Sequence, residues 1–94
     1  MGNSRGNKYS RNHRIWNPDN EDRYWDFSWD EVGKYDLPAV TDFILRKNGH
    51  SKLAYIAHSM GNNQAFSAIH DDLDYFKNKW SLFISLAPAV RIVN

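Results

Sequence analysis

Leu53-Ala54-Tyr55-Ile56-Ala57-His58-Ser59-Met60-Gly61 is the stretch on which the fold turns. Its first five residues form a short apolar run directly after a glycine-containing turn. The run shows no apolar–polar alternation, the pattern expected of a strand covered on both faces. The stretch from Asn62 to Ile69 is compatible with a helix. Leu82-Phe83-Ile84-Ser85-Leu86-Ala87 then repeats the buried-strand pattern and stops at Pro88. Strand, helix, strand at this spacing predicts a βαβ unit, with parallel strands over 53–58 and 82–87 and a right-handed crossover. The predicted fold class is therefore α/β.

Upstream, Ser28-Trp29-Asp30-Glu31 spells a capping box, a hydroxyl answered three residues later by a carboxylate. Apolar Val32, Leu37, Val40, Phe43 and Ile44 share one helical face, which predicts a helix over about 29–48. Pro38 predicts a kink or a break near Leu37, and Lys47 with Gly49 marks the helix end. Downstream, the charged segment from Asp71 to Lys79 predicts another helical turn with Leu73 and Phe76 facing inward. A parallel sheet needs cover on both sides. The expectation is that the 29–48 helix covers one face and residues 62–70 the other. Residues 1–27 have no clear period and read mostly as loop, with Tyr9, Trp16, Tyr24, Trp25 and Phe27 positioned to pack on something. Two strands alone make a poor parallel sheet, so residues 1–94 are expected to form one partial domain, the middle of a larger doubly wound fold.

Ala57-His58-Ser59-Met60-Gly61 carries the chemistry. A serine between small residues, where a buried strand hands over to a helix, fits the nucleophile elbow G-x-S-x-G, with alanine in place of the first glycine. The turn must be sharp and strained for Oγ to point out of the sheet edge. The following helix presents free N–H groups to a developing oxyanion, and the Met60 backbone N–H is the expected donor. The competing reading makes Ser59 a turn or N-cap serine that opens a helix. A nucleophilic serine also needs a histidine base and an acid to orient it, in the order Ser, acid, His for this kind of sheet. Downstream of Ser59 stand Asp71, Asp72, Asp74 and His70, all within the crossover and too early for either role. His58 is read as a packed elbow residue rather than a base, since neighbours on a tight turn point apart. His13 and His50 are read as exposed loop residues. The triad's acid and base are not in this chain.

Composition removes other classes. With 12 basic against 11 acidic residues, net charge +1, no polyanion partner is implied. Aromatics and arginines near the N-terminus are interspersed with acids, which argues against single-stranded nucleic acid. The absence of cysteine excludes a disulfide scaffold and a cysteine-ligated zinc site. Gly2-Asn3-Ser4-Arg5-Gly6-Asn7 lacks the Lys-Ser/Thr of a P-loop and the dinucleotide pattern, so no cofactor is predicted. Asp71, Asp72 and Asp74 match no calcium loop and read as a solvated face, so no metal is predicted. The start has no apolar core of a signal peptide, and no apolar run approaches the ~20 residues of a membrane helix. Oligomeric state is not legible.

Gly2-Asn3-Ser4-Arg5-Gly6-Asn7, Ser10-Arg11, Trp25-Asp26-Phe27-Ser28-Trp29-Asp30-Glu31, Lys34-Tyr35-Asp36-Leu37-Pro38-Ala39, Phe43-Ile44-Leu45, the elbow, and Leu86-Ala87-Pro88 follow one another in a fixed order. This series resembles the acid lipases, the group of gastric and lysosomal acid lipases and sterol-ester hydrolases. The resemblance implies a segment of an α/β-hydrolase fold, without the lid and the C-terminal part. It implies a carboxylic ester hydrolase of lipid catabolism, acting on triacylglycerols or sterol esters through an acyl-enzyme on Ser59. It also implies a secreted or lysosomal setting. The family's usual elbow is Gly-His-Ser-Gln-Gly, so this chain departs at Ala57 and Met60. The isolated chain is expected to be inactive. A non-catalytic remnant or lipid- or partner-binding module, and another chemistry on the same elbow such as thioester hydrolysis, are the alternatives.

Overall fold

The computed structural model describes residues 2–88. Two parallel strands, β1 (Leu53–His58) and β2 (Trp80–Leu86), form the sheet, joined by two crossover helices, α3 (Met60–Asp71) and α4 (Leu73–Lys79). The register pairs Tyr55 with Phe83, Ile56 with Ile84 and His58 with Leu86. An irregularity between Leu53 and Ala54 lets Trp80 pair with Leu53, so β2 begins two residues before the predicted Leu82. It ends at Leu86 rather than Ala87, because Ala87 turns to φ 45° and leaves the extended region.

Upstream lies one continuous helical stretch. The first turn, α1 (Trp29–Glu31), is opened by Ser28, whose hydroxyl accepts from the Asp30 N–H while its own N–H donates to Glu31. Val32–Asp36 then widens into a π-helical turn, in which the Leu37 N–H donates to the Val32 carbonyl five residues back, and α2 (Leu37–Asn48) follows. Of the kink or break expected near Leu37, the break does not occur, and the irregularity there is the widened turn. Pro38 falls at the start of α2, and the widened turn before it accommodates a residue that lacks the N–H for ordinary helical bonding. Gly49 closes α2 in the left-handed conformation at φ 71°, its N–H on the Leu45 carbonyl.

The Ser28 N–H and hydroxyl hold the Glu31 carboxyl below its ordinary value of 4.5. A carboxyl lowered in the folded state contributes stability that is fully present above its unfolded value. That contribution is lost as pH falls through the folded value. Glu31→Gln is therefore expected to flatten the acid side of the stability–pH curve below about pH 5, measured as denaturant midpoints at stepped pH.

The helices do not take opposite faces of the sheet as expected. The 29–48 stretch packs against α3, and both lie over the face carrying Leu53, Tyr55, Ala57 and Phe83. Gly33 makes this possible, since a Cβ there would lie 2.8 Å from the Ala68 backbone nitrogen. The core joins Val32, Leu37, Ala65, Ala68, Phe76 and Trp80. Phe76 is buried as predicted, but Leu73 is exposed, because α4 is short and presents one residue per turn inward. The other sheet face carries Ile56, Leu82, Ile84 and Leu86, all exposed, with Ile56 at 64%. Among the described residues nothing covers it.

Residues before Ser28 form turns and a short 3-10 helix over Asp22–Trp25. Their aromatics pack mainly on one another: His13 stacks on Trp16 at 4.7 Å, and Tyr24 meets Trp25 edge-on. Tyr9 is the exception and is exposed. The loop is fixed to the helical layer by the paired Arg5 guanidinium and Asp36 carboxylate, and by Gln64, whose amide donates to the Ser4 hydroxyl. Among the described residues no helix is long and apolar enough to cross a membrane.

Candidate active site

β1 ends at His58 and α3 begins at Met60, so Ser59 alone makes the turn between them. Its backbone sits at φ 50°, ψ −118°, a conformation that costs a non-glycine residue on the order of 1–3 kcal/mol. The neighbouring structure enforces it. The Ser59 N–H donates to the Leu86 carbonyl at 3.0 Å, and the Ser59 carbonyl accepts from the Asn62 N–H at 3.0 Å. Ser59 makes no side-chain capping bond to α3. An N-cap serine has extended backbone and a hydroxyl turned onto the helix amides. Ser59 shows neither feature, and its side chain stays exposed.

Ala57 is buried beneath the turn and lies close to Gly61, where an added Cβ would meet the Ala57 Cβ at 3.7 Å. That is ordinary contact, so an alanine fits at either position and a larger side chain crowds the other. Met60 is half exposed and supplies the first turn of α3. Its N–H belongs to the opening residues of the helix, which have no intrahelical acceptor.

No histidine reaches Ser59 among the described residues. His58 is exposed rather than packed as expected, and it makes no hydrogen bond to Ser59. His70 lies in the last turn of α3, about 15 Å along the helix from its start at 1.5 Å per residue. His50 precedes β1, at the opposite end of the strand from Ser59. His13 is exposed, and its Nδ1 accepts from the Ile15 and Trp16 amides, so it organises the N-terminal turn. Asp71, Asp72 and Asp74 are exposed at the far end of α3, where Asp72 caps α4 by accepting from the Tyr75 N–H. No group of three or more metal-ligating side chains gathers among the described residues.

Sequence reasoning missed the residues that brace the turn. In the sequence Asn62 reads only as part of a helix, yet it is wholly buried and bonded to Ser59, Leu86 and Ser85. A polar side chain three positions past the serine, in the first turn of the helix that follows it, is the available signal. The left-handed Ala87 carried none, since alanine has no preference for that region. A cleft of about 410 Å³ runs beside β1, between the strand and α2. His58 and Gly61 line it and Ser59 does not, so it is not assigned as an acyl pocket.

No family model matches the chain. Curated relatives do. Lipase member K of Mus musculus is 47% identical over 92 residues, which is 98% of this chain and 23% of that protein. Lipase 1 of Drosophila melanogaster is 46% identical over 96% of this chain and 20% of its own length. Lysosomal acid lipase/cholesteryl ester hydrolase of Macaca fascicularis is 41% identical over 98% of this chain and 23% of its own length. The chain thus spans between a fifth and a quarter of the length of these relatives.

Proposed function

Because this chain matches a segment of the acid lipases over nearly its whole length, we propose that it carries the nucleophile of a serine carboxylic ester hydrolase acting on lipid esters. The observation that supports this most is the Ser59 turn, with its left-handed backbone, its uncapped and exposed hydroxyl, and a helix opening directly behind it. In the proposed reaction the Ser59 Oγ attacks the ester carbonyl carbon and gives its proton to a histidine. The Met60 N–H holds the resulting oxyanion, together with a second donor. Collapse expels the alcohol, which takes the proton from the histidine. Water then cleaves the acyl–Ser59 ester by the same steps in reverse. Histidine, acid and second donor come from outside this chain.

The substrate class follows from the relatives, among which are a gastric triacylglycerol lipase and a cholesteryl ester hydrolase. The test uses the protein expressed from its own gene, offered emulsified triacylglycerol, cholesteryl ester and a long-chain acyl thioester. Release of fatty acid from either ester is expected. Thioester cleavage alone would move the activity to the other chemistry, and no release with a folded protein would leave a non-catalytic module. The 94-residue chain by itself, lacking a base at Ser59, is expected to show no Ser59-dependent turnover of a short-chain ester. Release that Ser59→Ala abolishes in that chain would contradict this.

A further inference from the structure

Asn62 stands in the first turn of α3 with none of its surface exposed, and it is the largest side chain in the core that is fully enclosed. Its amide is fully engaged on the donor side. Nδ2 donates to the Ser59 carbonyl at 3.0 Å and to the Leu86 carbonyl at 2.8 Å. Its Oδ1 accepts from the Ser85 hydroxyl. An amide has two N–H groups, so both are spent on these carbonyls, and the hydroxyl on the oxygen side fixes which way the amide faces. The Leu86 carbonyl also accepts from the Ser59 N–H. Asn62 therefore closes a ring that runs from Ser59 through the end of β2 and back to Ser59.

Helix stability does not account for this residue. Asparagine is a mediocre helix former, and an amide taken fully out of water is unfavourable unless every bond is made. Two consequences follow for the serine. The ring holds the left-handed Ser59 backbone against relaxation, which fixes where Oγ points. It also directs two N–H groups onto two carbonyl oxygens at the sheet edge beside Ser59. Each oxygen already accepts one backbone N–H, and the second donor further offsets a partial charge that would oppose the negative charge developing when the serine attacks.

We infer that Asn62 is a positioning residue for the nucleophile, with Ser85 as the anchor that orients its amide. The inference rests on the proposed role of Ser59. Asn62→Asp keeps the shape and replaces the donating amine with an acceptor. Its carboxyl, buried against carbonyls, is pushed toward protonation, and the protonated form donates again.

The test uses the protein expressed from its own gene, following phosphonylation by a fluorophosphonate probe and hydrolysis of 4-nitrophenyl butyrate. Asn62→Asp is expected to lower kcat and the phosphonylation rate about 10- to 100-fold at neutral pH, the scale set by ångström misplacement of a reacting group. KM should stay within about twofold of the parent's, since remote substrate contacts are untouched. The deficit relative to the parent should shrink as pH falls. Ser85→Ala should lose about threefold in kcat with KM unchanged, because the enclosed Asn62 Oδ1 loses the hydroxyl that orients the amide. A folded Asn62→Asp protein with the parent's rates, or a deficit that does not shrink in acid, overturns the inference. If Asn62→Asp does not fold, Ser85→Ala decides: a full rate in the folded variant overturns it, and a loss in kcat at unchanged KM sustains it. Ser59→Ala, run alongside, separates the two levels. If Ser59→Ala still hydrolyses the ester at the parent rate, the proposed function fails. If Ser59→Ala is inactive while Asn62→Asp is fully active, only the role of Asn62 fails.

Discussion

Ser59→Ala is expected to reduce ester hydrolysis by the protein expressed from its own gene by about 10⁴- to 10⁶-fold, the range seen when a triad serine is removed and its oxyanion donors remain. The fold should not register the change. The Ser59 side chain makes no hydrogen bond among the described residues, so no buried partner is orphaned. Alanine keeps the backbone at the same cost at φ 50°. Ser59→Gly sharpens the expectation, because glycine adopts a positive φ freely. That variant should be as inactive as Ser59→Ala and about 1 kcal/mol more stable than it in chemical denaturation. A protein that becomes more stable on losing its serine holds strain at that point for function. If the two variants are equally stable and both retain turnover, Ser59 is an ordinary turn residue.

Trp80→Ala is expected to destabilise the protein by about 3–5 kcal/mol, the usual cost of truncating a buried aromatic. Trp80 holds the sheet to the helical layer. Its indole stacks on Tyr55 of β1 at 4.2 Å and meets Phe76 of α4 at 4.5 Å. Its Nε1–H donates to Thr41 Oγ1 of α2 at 3.1 Å, within a buried pair. Truncation opens a cavity against three elements and removes that donor from an enclosed hydroxyl. Trp80→Phe, which fills most of the space but cannot donate, should lose about 1–2 kcal/mol. Urea midpoints for the three proteins measure both, and an alanine variant within about 1 kcal/mol of the parent would remove Trp80 from this role.

Local features of the fold were legible because they depend on neighbours in sequence. Ser28 and Glu31 are three residues apart and can answer each other without help from the rest of the chain, and Gly49 ends a helix by its own backbone freedom. The run at 53–58 was readable as a strand from its apolar residues and its position after a turn. What failed was pairing at a distance. A buried run does not say which helix covers which face, and the shared face of α2 and α3 depends on Gly33 passing the Ala68 backbone, a contact between residues far apart in sequence. Pro38 was legible as a disturbance, but whether a helix breaks or widens depends on what the helix packs against.

The candidate site divides the same way. Ser59, Ala57, Met60 and Gly61 lie in five consecutive residues, so the pattern could be read directly. The bracing of that turn comes from Ser85, Leu86 and Asn62, which meet only when the two strands align. The Arg5–Asp36 pair, which fixes the N-terminal loop to the π-helical turn, spans 31 positions and had no local signature.

The central claim is that the hydroxyl of Ser59 is the reacting atom, and locating a covalent adduct tests it most directly. The protein expressed from its own gene is treated with a fluorophosphonate, digested, and mapped by tandem mass spectrometry. The expected result is one stoichiometric adduct on the peptide containing Ala57-His58-Ser59-Met60-Gly61, with the added mass on Ser59, and none in Ser59→Ala. An adduct on another serine, or an intact Ser59 in a folded protein that still hydrolyses lipid esters, would contradict it.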